Sequence, residues 1–196
     1  MQEFHFTEQD VSSLHADENG GIHYACGFAH QHAPAESEPE RSIALAAVPI
    51  SPFPAHLVFH SKPGAPNTLY INFSGETVVN TEWNNLVSRS EIPAVAFSTD
   101  SDFSTFSDAE QLAIKRIWQR MAEDFAPFDI NVTTERPTTF NNRTAHALIT
   151  RSTDANGAAN PHSTAGGVAY VNVFNTSNFA KYRPAWVYYN NLSNTE

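Results

Sequence analysis

Chemistry in this chain would have to come from its histidines, its one cysteine and a few clustered carboxylates. Nine histidines are present, and imidazole serves both as a general base and as a metal ligand near neutral pH. His30 and His32 are the closest pair. On a strand their spacing puts both rings on one face, where they could bind a metal weakly, but no third ligand lies nearby. His56 and His60 stand four apart, the helical spacing of paired zinc ligands, yet Pro52, Pro54 and Pro63 crowd the segment and oppose a helix. His146 falls in an apolar run, where a hydrogen-bonded core histidine is expected. His162 falls in a polar loop that assigns it no role. Cys26 could be a thiolate ligand or a nucleophile. No partner can be argued for it from the sequence, so a small half-buried thiol is the expected state.

Among the carboxylates, Asp100-x-Asp102-x-Ser104 alternates oxygen ligands in the manner of a calcium loop. The loop glycine at position six and the bidentate glutamate at position twelve are missing, so an acidic turn leading into the next helix is expected. Glu123 and Asp124 fall near the end of that helix, on its exposed side. The chain has no G-x-S-x-G, no phosphate-binding loop and no G-x-G-x-x-G.

The elements that would position these groups are clearest over Ser104–Pro137. Ser107 and Glu110 form a capping box, and Asp108 and Glu110 lie at the positive end of the helix dipole. Ile114, Ile117, Trp118, Met121 and Phe125 recur at three- and four-residue spacing and make one apolar face. Pro127 ends the helix, giving a span of 107–126. Strands are expected at Thr68–Phe73, 130–135, Ala145–Thr150, Gly167–Phe174 and Ala185–Tyr189, while Glu82–Leu86 is ambiguous. Asn19-Gly20-Gly21 is the turn of a short hairpin whose second strand is Ile22–Cys26. Residues 33–54 are rich in Pro, Ala, Ser and Glu and read as a linker or an extended segment. A strand–helix–strand start followed by further strands predicts an α/β (α+β) sandwich with a mixed sheet of about five strands and one main helix.

Composition narrows the partners. The 196 residues are 41% hydrophobic and 12% aromatic, enough for one domain with a core. A net charge of −10 with only three lysines argues against nucleic acid and anionic membrane as partners, since both require a basic face. No apolar run approaches the roughly 20 residues of a membrane span. The first ten residues do not read as a signal peptide. The single cysteine permits no intrachain disulfide.

The order PGAPNTLYINFSGETV, FSTFSDAEQLAIKRIWQRMAEDFAPFDINVTTERP, AHALITRS, AGGVAYVNVF and AWVYYNNL resembles secreted bacterial zinc metalloproteases of the metzincin-like class. The resemblance covers about residues 58–192, and its specific parts are DFAPFDINVTTERP and GGVAYV. It implies residues 1–57 as a pro-segment or linker and 58–196 as the N-terminal part of a catalytic domain. Next would come an active-site helix with H-E-x-x-H-x-x-G-x-x-H, whose histidines bind zinc and whose glutamate is the base. That motif is absent from this sequence, which reads as cut before the zinc site. Asn72-Phe73-Ser74-Gly75-Glu76 also departs from the more acidic D-F-D-G of related sequences.

The resemblance further implies a peptide or protein substrate held along an edge strand, with Gly166, Gly167, Val168, Ala169 and Tyr170 as the binding strip. Equally open is the reading of Gly166-Gly167 as a turn into a buried strand. The resemblance likewise implies zinc in the intact protein and a secreted parent, while calcium has only the Asp100–Ser104 loop behind it. As in a cysteine switch, Cys26 could block the zinc, although the usual surrounding motif is missing. The isolated chain is expected to be inactive, as an enzyme fragment. The rival expectation is a non-catalytic binding or inhibitory module that uses an exposed sheet edge of the same scaffold.

Overall fold

The computed structural model describes residues 8–27 and 49–192, so His30, His32 and most of the Pro/Ala/Ser/Glu-rich segment lie outside the described residues. The long helix forms for the reasons legible in its sequence. The Ser107 side chain accepts from the Glu110 amide, and the Glu110 carboxylate takes the Ser107 amide in return at 2.8 Å. The other Glu110 oxygen accepts the Thr99 amide, which ties the cap to the preceding loop. Ile114 is fully buried, with Ile117, Trp118, Met121 and Phe125 packed around it, and Trp118 Nε1 donates to the Val132 carbonyl at 2.9 Å.

Chain order is α1 (Glu8–Ser13), β1 (Leu14–Ala16), β2 (Ile22–Ala25), β3 (Asn67–Asn72), β4 (Glu76–Val79), α2 (Glu82–Leu86), β5 (Glu91–Ala94), α3 (Asp108–Asp124), β6 (Ile130–Thr133), β7 (Thr144–Thr150), β8 (Gly167–Tyr170), α4 (Phe179–Tyr182) and β9 (Ala185–Tyr188). The class is mixed α/β, with few helices, as expected. The strand count is not: the main sheet has seven strands in the order β1-β2-β8-β9-β7-β3-β6, where about five were expected. The two additional strands are the N-terminal hairpin, whose β2 pairs antiparallel with β8. A second sheet, β4 with β5, escapes a propensity reading because Pro93 interrupts the run.

β3 runs parallel to both β6 and β7, and β7 runs parallel to β9, while β8 is antiparallel to its neighbours. Side-chain alternation along β7 divides two cores. Ala147 and Ile149 face the core under α3, with Ile71, Phe73, Val132 and Ile114. Leu148 faces the opposite core, with Trp83, Trp186, Tyr188 and Val168, covered by α2 and the β4–β5 hairpin. Gly75 turns between β3 and β4 at φ +80°, and a Cβ there would meet the Ala96 amide nitrogen at 2.7 Å. Ile50, Phe53 and Leu57 pack into the core under α3, so the described parts of 1–57 share sheet and core with the rest. Among the described residues, no helix is long and apolar enough to cross a membrane.

Candidate functional site

β8 carries the strip Gly166–Tyr170, and its two sides decide what that strip can hold. β9 takes one side, with Gly167 opposite Val187 and Val168 opposite Trp186. β2 takes the other, with His23, Tyr24 and Ala25 opposite Tyr170, Ala169 and Val168. The expected open edge is therefore not at β8: the chain's own β2 fills it. Cys26 N–H donates to the Gly167 carbonyl at 2.9 Å, and Val171 N–H donates to the Ile22 carbonyl at 2.9 Å. Val168 and Tyr170 are buried. The missing Cβ of Gly167 has an internal reason, because it would meet the Trp186 carbonyl oxygen at 2.8 Å. The sequence rule of Gly for close backbone approach holds here, with β9 as the approaching backbone.

The hairpin is seated by polar contacts at both ends. Asp17 accepts from the Tyr170 hydroxyl at 2.9 Å and from the Gly21 amide at 2.7 Å. Asn19 donates to Glu82, itself paired with Lys181 at 2.6 Å. His23 Nε2 lies 2.8 Å from His162 Nε2, and the His15 ring centroid is 5.5 Å from that of His23 and 5.0 Å from that of His162. Burial, with His162 and His15 adding to it, pushes the His23 pKa down to about 4. Neutral rings result, one donating its Nε2 proton to the other's lone pair. His15 and His23 were not singled out from the sequence. The Asn19-Gly20-Gly21 turn carried the signal, since the hairpin register places them opposite each other.

A second polar group lies at the starts of β7 and β9. Glu76 takes Arg136 through both carboxylate oxygens, at 3.2 and 3.3 Å. His146 is a core histidine, as expected, with Nε2 3.4 Å from Asn72 Nδ2 and 3.5 Å from Glu76. Its ring stacks on Tyr70 with centroids 5.2 Å apart, and burial pushes its pKa down to about 4. Burial also raises the Tyr70 hydroxyl to about 12. The Arg183 guanidinium sits 4.2 Å over the Phe140 ring. His146 and Arg183 border a cavity of about 430 Å³ that also reaches Ala169 and Tyr170.

The remaining candidates separate. His56 pairs with Gln111 at 2.8 Å, and His60 pairs with Glu135 at 3.1 Å, so the two do not form a ligand pair. Asp100 and Asp102 spend their Oδ1 atoms on the amides two residues ahead, each at 2.9 Å, which is the geometry of an acidic turn. Cys26 is half-buried. Among the described residues, no group of three or more His, Cys, Asp or Glu is placed to hold a metal ion. The described residues by themselves therefore do not fit a zinc centre. Compared with family models, curated proteins and solved structures, the chain matches none.

Proposed function

We propose that this chain is the N-terminal part of a zinc-dependent endopeptidase of the metzincin-like class, in which β8 holds an extended peptide. The observation that carries the reading is that β8 already holds an extended strand, β2, antiparallel and through main-chain hydrogen bonds. Main-chain pairing accepts any side chain, the requirement for binding a polypeptide substrate. Under this reading β2 stands where substrate would lie, and the zinc belongs to residues outside this sequence, which supplies no step in the hydrolysis. The test is a peptidase assay of the 196-residue chain with added zinc, beside the same chain extended by the next stretch of its reading frame. Chelator-sensitive cleavage is expected from the extended chain alone. The same cleavage by the 196 residues, or a continuation without H-E-x-x-H, would overturn the reading.

A second reading, a non-catalytic binding or inhibitory module, is favoured by one specific observation: β8 holds its strand without any metal group among the described residues. It requires that a peptide of the β2 sequence compete for β8 in a chain that has no peptidase activity in either length.

A further inference from the structure

We propose that the cavity between the starts of β7 and β9 and the end of β8 binds a small carboxylate with a flat apolar body. This goes beyond the endopeptidase reading and does not depend on it. The cavity of about 430 Å³ has an apolar wall formed by Val173, Phe174, Tyr170 and Tyr182. Arg183 and His146 also line it.

Arg183 is the unusual member. Among the described residues it makes no ion pair, its buried Nε has no hydrogen-bond partner, and its one contact of note is the Phe140 face. The nearby carboxylate, Glu76, is spent on Arg136. A half-buried guanidinium is costly here, because burial outweighs the attraction of Glu76, which Arg136 already engages. Its natural partner is a planar carboxylate, which its fork binds in two places.

His146 supplies a second free valence beside it. Its side chain is only 1% exposed, and Nδ1 has no partner. The Ser74 amide donates to Asn72 Oδ1 at 2.9 Å, so Asn72 turns its NH₂ towards His146 Nε2. Nε2 also lies 3.5 Å from Glu76, so Nε2 is the engaged nitrogen and Nδ1 the one left for a ligand. A guanidinium, an unengaged imidazole nitrogen and an aromatic wall together select an arylalkanoate over both a bare anion and a neutral aromatic.

The probe is 3-phenylpropionate, titrated calorimetrically into the whole chain beside 3-phenylpropanol and acetate. Saturable binding of the carboxylate is expected, with the alcohol and acetate about tenfold weaker or more. Arg183→Gln should weaken the carboxylate about tenfold without lowering the unfolding midpoint of the free protein. A variant that unfolds would leave the wild-type readout decisive. There, the His146 Nδ1 nitrogen-15 resonance should move on adding the carboxylate and stay fixed with the alcohol. No saturable binding, equal binding of the alcohol, or an unmoved His146 signal would each overturn the proposal.

Discussion

His23 and His146 are both held neutral by burial, and each has one ring nitrogen left without a partner. In the unfolded chain each would bind a proton near pH 6.5, and in the folded chain near pH 4. Between these values the unfolded state holds more protons, so stability is complete above about pH 6.5 and falls as pH drops towards 4. The loss is on the order of 3 kcal/mol for each group. Urea midpoints at pH 7, 5.5 and 4 should decline in step, and His23→Gln should flatten part of that decline. A midpoint that stays level across this range would contradict the assignment of neutral rings. Trp83 is the other residue-scale case: it is fully buried and its Nε1 donates to the Pro184 carbonyl at 2.8 Å. Trp83→Ala should cost about 3–5 kcal/mol in denaturant unfolding, and a cost under about 1 would mean the core refills the space.

At the scale of elements, the cap of α3 does more than start a helix. Ser107→Ala removes one capping acceptor and should cost about 1 kcal/mol. Glu110→Ala should cost more, about 2–3 kcal/mol, because it leaves the amides of both Ser107 and Thr99 without their acceptor. Equal losses for the two variants would mean that the Thr99 contact contributes nothing. This element was almost fully legible, since cap, apolar face and proline stop all act within one turn of themselves. The β4–β5 hairpin was not, because its pairing survives a proline that local propensity counts against it. The strip at Gly166–Tyr170 was found as a strand, with its neighbours left open between a substrate edge and a buried position. Alternation reports which face of a strand is buried and says nothing about what lies along its edges.

At the scale of the molecule, the hairpin β1–β2 is the piece on which the sheet's outer half depends. A side chain at position 21 has no room: its Cβ would meet Asp17 Oδ2 at 2.6 Å and the rings of Tyr170 and Tyr182 at 3.0 Å. Gly21→Leu should therefore unseat the hairpin and open the β8 edge. Amide exchange at Val171, whose N–H is held by the Ile22 carbonyl, should accelerate, and self-association should appear in size-exclusion chromatography. Unchanged protection at Val171 would show that β8 keeps its partner without the turn.

The sequence by itself determined the boundaries and faces of the long helix, the main parallel strands and the burial of His146, because capping, periodicity and proline act over a few residues. It also set the acidic net charge of −10. Tertiary structure alone decided that β2 lies against β8, that His15, His23 and His162 meet, and that Arg183 lies over Phe140 and borders an aromatic-lined cavity. Backbone pairing carries almost no side-chain signature, and the surroundings of a half-buried charge exist only as a relation between distant segments. Neither is written in local spacing.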